Sequence, residues 1–121
     1  MEAQSVRNLD VYQRALEFAG IVNSMLVPTP RGHSDLADQL RRAADSIVLN
    51  ICEGAGELSP KEKARLYRIA RRSATECVGA IDLFGARKVL TEDQLEASHA
   101  LLDRILAMLT KLVYRHSDRQ P

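Results

Sequence analysis

The sequence lacks several features on which other classes of protein depend. It has no tryptophan, only 4% aromatic residues, and two cysteines, Cys52 and Cys77, without CxxC or Cys-His spacing. A metal site is therefore not expected, and we expect both cysteines to be small buried side chains in a reducing compartment. Because no apolar run approaches the ~20 residues of a membrane-spanning helix, we expect no membrane association.

An excess of charge of one sign is also missing. The 17 basic and 16 acidic residues leave a net charge of +1, so no long-range field attracts the chain to nucleic acid or to a membrane. Any such binding requires local clustering of charge. The first residues, MEAQSVRNLD, lack the basic start and apolar run of a secretory signal, and we therefore expect a cytoplasmic protein.

Helical periodicity is the strongest positive signal. Between the few prolines and glycines, apolar residues recur at steps of three and four. This pattern predicts helices over about 9–27, 34–53, 60–88 and 92–116. Since short links favour antiparallel neighbours, we predict that residues 1–121 form one all-α domain, an antiparallel up-down-up-down four-helix bundle.

Three helix ends have recognisable signals. Ser59 precedes a proline and is followed by Glu62, which is placed to return the capping bond, and Thr91 with Gln94 forms a second capping box. Gly54 is expected to close the second helix in the left-handed conformation.

The segment RRAADSIVLNICEGAG, residues 41–56, carries polar side chains beside its apolar face. On a helical wheel the core face is Leu36, Leu40, Ala43, Ile47 and Ile51, and a polar stripe on its border is Gln39, Arg42, Ser46, Asn50 and Glu53. If the second and third helices form a hairpin, one register pairs Arg42 with Glu76 and Glu53 with Arg65 or Lys61. Asn50 then lies between the two pairs. The simpler interpretation is a polar border that sets helix register.

A basic face is predicted on the third helix. It comprises Lys61, Arg65, Arg68, Arg71 and Arg72, with Tyr67 between them as a stacking group. Residues 61–72 contain six basic side chains and one acidic one, Glu62. A stripe of this kind can follow a phosphate backbone and bind RNA or DNA, or it can be an ordinary solvated face partly used in ion pairs.

The first and fourth helices carry wider apolar coverage than a single bundle seam needs. Phe18 and Met25 widen the first, and Leu101 and Met108 widen the fourth. If these additional apolar side chains were exposed, they would form large apolar patches. We therefore predict a homo-oligomer in which they lie at the interface.

Enzymatic alternatives find little support in the residues. Glu96 and His99 spell one ExxH motif, whereas a carboxylate-bridged di-metal bundle needs two. The sequence has no nucleophile elbow and no phosphate-binding loop. We therefore expect no enzyme activity, no catalytic residue, no cofactor and no metal.

RRAADSIVLNICEGAG, followed by IARRSATEC at 69–77 and preceded by LDVYQRA at 9–15, resembles the four-helix-bundle proteins encoded in 23S rRNA intervening sequences. The family pattern is similar to RRAAxSIxxNIAEGxG and then IAxGSxxE. It covers six polar positions here: Arg42, Ser46, Asn50, Glu53, Ser73 and Glu76. Cys52, Tyr12 and Arg72 depart from it, and Arg72 replaces a common glycine.

The resemblance implies a cytoplasmic bundle that assembles as a ring of five. Related accessory proteins of diversity-generating retroelements work with a reverse transcriptase and its nucleic acid, so a reverse transcriptase is an expected partner by analogy. The leading hypothesis is a non-catalytic, self-assembling accessory factor associated with RNA or DNA. The alternative is a structural or protein-interaction scaffold without nucleic-acid binding.

Overall fold

The computed structural model describes residues 3–117, which form five helices and no strand. The helices are α1 (Ala3–Arg7), α2 (Asp10–Met25), α3 (Ser34–Gly56), α4 (Pro60–Ala86) and α5 (Glu92–His116). The last four correspond to the four predicted helices, and the all-α fold class is confirmed. The short helix α1 was not predicted, because its five residues bury a single side chain, Val6, and so carry no periodic signal.

The four long helices pack as a bundle in which α2 contacts α3, α3 contacts α4, α4 contacts α5, and α5 contacts α2. Neighbours run antiparallel. Ser46, midway along α3, meets Ser73 midway along α4, whereas Lys63 near the start of α4 reaches Gly54 near the end of α3. The short α1 contacts α2 and α3.

The core lies between these helices and is built mainly from aliphatic side chains and two phenylalanines. All five residues of the predicted α3 core face are buried. On α2, by contrast, two neighbouring apolar rows differ. The row of Val11, Ala15, Phe18 and Val22 is buried, whereas Leu16, which follows Tyr12 by one turn on the adjacent row, is 41% exposed. The rotation of α2 therefore places the row from Val11 to Val22 inside and leaves Leu16 at the surface.

The capping signals are confirmed at both sites, with one difference. Thr91 and Gln94 form a reciprocal box, with bonds of 3.1 Å from the Gln94 amide to Thr91 Oγ1 and 2.9 Å from the Thr91 amide to Gln94 Oε1. Ser59 Oγ accepts from the Glu62 amide at 3.3 Å. The Glu62 carboxylate does not return the bond, since it pairs with Arg65 at 3.0 Å.

The predicted role of Gly54 is wrong. The helix continues through it to Gly56, and among residues 3–117 a positive φ occurs only at Gly32 and Lys88. Gly54 instead permits a close approach between α3 and α4, because an added Cβ would lie 2.8 Å from Cε1 of Tyr67. The last carbonyls of α3 are covered from α4, where Lys63 Nζ donates to Gly54 O at 3.0 Å and to Ala55 O at 2.9 Å.

Within residues 3–117, no helix combines the length and the apolar character that crossing a bilayer requires.

Candidate nucleic-acid interface

The polar stripe contributes a hydrogen-bonded cluster to the contact between α3 and α4. Ser46 Oγ and Ser73 Oγ are 2.8 Å apart, and Asn50 Nδ2 donates to Ser46 O at 2.9 Å and to Ser46 Oγ at 3.1 Å. Ser73 is only 8% exposed. Because each of these polar groups has a partner, they can be covered by the two helices without a large desolvation cost.

The predicted hairpin register is right, but the predicted ion pairs are wrong. Glu76 accepts from Gln39 at 3.3 Å, and Arg42 Nε donates to the carbonyl of Asp38 on its own helix at 3.4 Å. Arg65 likewise pairs with Glu62, three residues away. A long exposed side chain has several possible partners of nearly equal interaction energy. A partner one helical turn away on the same helix can be contacted at little cost in conformational entropy.

The predicted basic face exists as one exposed surface along the N-terminal half of α4. Lys61, Arg65, Arg68, Arg71 and Arg72 are all exposed. The antiparallel packing adds the C-terminal half of α5 beside it, where residues 107–117 contain Lys111 and Arg115 and no acidic residue. The tertiary structure therefore enlarges the basic region beyond the one helix on which the sequence places it.

Arg68 and Arg71 are held in place by two hydroxyl groups, that of Thr110 on α5 and that of Ser117, which directly follows α5. Arg71 Nε donates to Thr110 Oγ1 at 2.9 Å, and Arg68 Nη2 donates to Ser117 Oγ at 3.3 Å. The Thr110 hydroxyl itself donates to the Leu106 carbonyl at 2.9 Å, which turns a lone pair toward Arg71. Both guanidinium groups are thus oriented by hydroxyl groups, which carry no charge.

Four arginines of the described region, Arg14, Arg41, Arg65 and Arg104, have acidic partners. Arg14 contacts Asp10 and Glu17, and Arg41 contacts Asp38. Within residues 3–117, neither Arg68 nor Arg71 forms an ion pair with a carboxylate. An oriented, uncompensated pair of guanidinium groups is the arrangement that binds phosphate oxygens well.

These arginines border a groove between α4 and α5 of about 400 Å³. We call it the α4–α5 groove, and its lining residues are Arg68, Arg71, Thr110, Val113, Tyr114 and Ser117. A second hollow lies next to it along α4 and shares Arg68 and Arg71, with Arg72, Thr75 and Glu76 completing its lining. Arg68 and Arg71 thus contribute to both hollows.

The aromatic residue of this surface is not the one predicted. Tyr67 is 3% exposed and packs beneath Gly54, with its ring centre 5.9 Å from that of His116. Burial raises its pKa, although the charge of Arg115 opposes this. Tyr114 is 41% exposed and lines the α4–α5 groove. An antiparallel alignment of α4 with α5 would have found it, since it lies one turn beyond Thr110.

His116 adds little positive charge to this surface near neutral pH. Its pKa is lowered by burial and by the charges of Lys63 and Arg115. The positive charge of this surface near neutral pH therefore comes from arginine and lysine.

A model of the 23S rRNA-intervening sequence protein family matches residues 7–111 of this chain. The chain belongs to this family. A solved structure from Bacteroides thetaiotaomicron, described as a protein of unknown function from the S23 ribosomal protein family, superposes with a TM-score of 0.78. It is 26% identical, and the match covers 85% of this chain and 97% of that one. No curated protein matches this chain.

Several residues of the segment that resembles the family pattern have structural roles in this 23S rRNA-intervening sequence protein. Arg41 Nη2 donates to Leu26 O at 2.8 Å and to Thr29 Oγ1 at 2.9 Å. It therefore binds the end of α2 and the loop that follows. Ser46 and Asn50 fix the α3–α4 contact, and Gly54 admits the Tyr67 ring. Much of this segment thus serves the fold of the family member, whereas Lys61, Arg65 and Arg68 of the basic face lie outside both segments that resemble the family pattern.

The predicted interface residues are only partly available to a second chain. Phe18 is fully buried and Leu101 is 7% exposed, because both pack in the chain's own core. Their assignment to an oligomer interface is wrong. Met25 and Met108 are half-buried against the core. The large apolar side chains that remain exposed in this family member are others, among them Leu49 at 59% and Leu58 at 86%.

The two cysteines differ in environment. Cys77 is buried as predicted, and burial together with the charge of Glu76 raises its pKa to about 12. Cys52 is exposed, contrary to the prediction, because it lies on the solvent side of α3 next to the buried Ile51.

The histidine of the single ExxH motif, His99, contacts a neighbouring helix. His99 Nε2 of α5 lies 2.8 Å from Asp82 Oδ1 of α4, and both side chains are exposed. No set of three or more His, Cys, Asp or Glu side chains suited to a metal ion occurs within residues 3–117.

Proposed function

We propose that this protein is a non-catalytic, self-associating helical bundle that binds RNA or DNA through the basic face of α4. The observation that carries the proposal is the state of Arg68 and Arg71, which hydroxyl groups orient and no carboxylate of the described region neutralises. With a net charge of only +1, the chain has no general attraction for polyanions, so binding must come from this local cluster.

The exposed side chains of the basic face favour contacts to phosphate over reading of bases. They lie along one helix, and a helix face of this kind offers charge along its length. The affinity of one copy for nucleic acid is expected to be weak and strongly salt-dependent, since only about four contacts form and each releases counterions. Repetition of the face in an oligomer would raise the apparent affinity through effective concentration.

A structural or protein-interaction scaffold is the second candidate. It is favoured by the exposed apolar side chains, since Leu58 is 86% exposed and Val27 is 61% exposed. Exposed apolar area of this kind is used in contacts between proteins. The family resemblance adds two expectations to either candidate: assembly as a ring of five, and a reverse-transcriptase partner. A reverse-transcriptase gene beside the gene for this protein would support the expected partner.

Fluorescence polarisation with unrelated RNA and DNA oligonucleotides, at low and moderate salt, tests the main proposal. We expect the wild type to bind both, and Arg68→Gln/Arg71→Gln to bind much more weakly. The matched control is Arg87→Gln/Arg104→Gln, which removes the same charge from exposed positions outside the basic face.

The control variant is expected to bind like the wild type. Equal binding by all three proteins would place the site elsewhere, and no binding by the wild type at low salt would favour the scaffold. Circular dichroism confirms that each variant is folded.

A further inference from the structure

The α4–α5 groove combines the partly exposed ring of Tyr114 on α5 with Arg68 and Arg71 on α4. Thr110, which holds Arg71, is one helical turn before Tyr114, and Ser117, which holds Arg68, follows Tyr114 by three residues. Side chains three and four apart on a helix are neighbours, with Cβ atoms about 5–6 Å apart. The Tyr114 side chain therefore lies between the anchor points of the two guanidinium groups.

We propose that this groove selects single-stranded nucleic acid, with Tyr114 stacking on an unpaired base and with Arg68 and Arg71 binding the phosphates on either side. This inference rests on the proposed function and specifies its ligand. The groove, at about 400 Å³, has the size of a site for one small ligand. It is therefore on the scale of a single nucleotide.

Stacking is what separates a single strand from a duplex at such a site. In a duplex both faces of each base are covered by neighbouring bases, and only the base edges and the sugar-phosphate backbone remain accessible. In a single strand a base can turn out and lie against an aromatic ring, and every base offers such a face, so sequence preference stays low. Phosphate binding by the two arginines alone would not distinguish the two forms.

The surroundings of Tyr114 suit this arrangement. Val113 and the Cγ methyl group of Thr110 add apolar surface to the groove, and apolar atoms make up most of its lining. Acidic side chains are absent from the groove lining, so a phosphate entering it meets no carboxylate of the described residues that line it. The phenolic hydroxyl of Tyr114 has no part in the proposed stacking contact, which needs only the aromatic ring.

The experiment compares one labelled oligonucleotide with the duplex that it forms with its complement, using wild type, Tyr114→Ala, Tyr114→Phe and Arg68→Gln/Arg71→Gln. We expect the wild type to prefer the single strand. Tyr114→Ala should weaken single-strand binding about 5- to 150-fold, the range for losing one stacked base, and leave duplex binding unchanged. Tyr114→Phe should retain the wild-type preference, and the double arginine variant should lose affinity for both forms.

Competition experiments separate the contribution of base stacking to the affinity from that of phosphate binding. A nucleoside monophosphate should displace the labelled strand at lower concentration than inorganic phosphate, and this difference should vanish in Tyr114→Ala. Equal binding of strand and duplex by the wild type, or an equal loss of both in Tyr114→Ala, would overturn the single-strand inference while leaving the proposed function standing. Absence of binding to either form by the wild type would overturn the proposed function itself.

Discussion

Ser46 on α3 and Ser73 on α4 share a hydrogen bond of 2.8 Å between their Oγ atoms, at the midpoint of the contact between the two helices. The bond joins the two segments that resemble the family pattern, and Asn50 extends it at 3.1 Å. Because Ser73 is almost fully buried, a slip of either helix would leave a hydroxyl without a partner. This contact therefore specifies how α3 and α4 align.

Removing this hydroxyl contact is expected to lower stability. Ser73→Ala should reduce the free energy of unfolding by about 0.5–1.5 kcal/mol, the typical net value of one hydrogen bond. Urea denaturation with an unchanged m-value is the measurement. Thr75→Ala on the same helix is the control, since Thr75 is exposed and its hydroxyl donates to the carbonyl of Arg71 on its own helix. Equal effects of the two substitutions would contradict a special role for Ser73.

Alanine at two helical glycines should act in opposite directions. Gly79→Ala adds a Cβ into open space and should stabilise the protein by about 0.5–1 kcal/mol through helix propensity. Gly54→Ala makes the same chemical change but places the Cβ 2.8 Å from the buried Tyr67 ring. Overpacking of this kind costs about 1–3 kcal/mol. Thermal and urea unfolding measure both, and a Gly54→Ala protein as stable as Gly79→Ala would refute the close contact.

The two thiols should react at very different rates. Cys52 is exposed and should react readily with a thiol reagent at pH 8. Cys77 should not, because it is inaccessible and because a thiol with a pKa of about 12 forms almost no thiolate at that pH. We expect one reactive thiol in the native protein, none in Cys52→Ser, and two after denaturation. Rapid modification of native Cys52→Ser would contradict the burial of Cys77.

Phe18→Ala should destabilise the single chain. Phe18 is fully buried among core residues, and deleting such a ring typically costs about 3–5 kcal/mol. Unfolding should therefore occur at lower urea concentration, and any loss of assembly should accompany unfolding. A folded variant of unchanged stability that had only dissociated would restore Phe18 to an interface between chains.

Self-association remains a prediction, and its basis has changed. Phe18 and Leu101 do not support it, because both are buried in the core of the single chain. Leu49, Val27 and Leu58 support it, because they are exposed apolar side chains that another chain could cover. Light scattering at micromolar concentration should give a mass above the 13.5 kDa of one chain. A mass equal to that of one chain, at all concentrations tested, would count against assembly.

The sequence alone determined the four long helices, their antiparallel order and the core face of α3. These features follow from local signals: steps of three and four between apolar residues, the box at Thr91 and Gln94, and short links. The exposure of the five residues of the basic face was also predictable, since it lies opposite the apolar side of the same helix. Such properties depend on neighbours within about one or two helical turns.

Only the tertiary structure decided how those helices are rotated and what lies beside them. The packing of α2 buries Phe18 and exposes Leu16, a choice that two similar apolar rows left open. The same kind of packing buries Tyr67 beneath Gly54 and brings Tyr114 and Thr110 beside Arg68 and Arg71. Exposed ion pairs could not be predicted, because each is worth only about 0–1 kcal/mol and several alternatives compete. Lateral contacts between residues far apart in the chain have no periodic signature, so they emerge only when the whole core is packed at once.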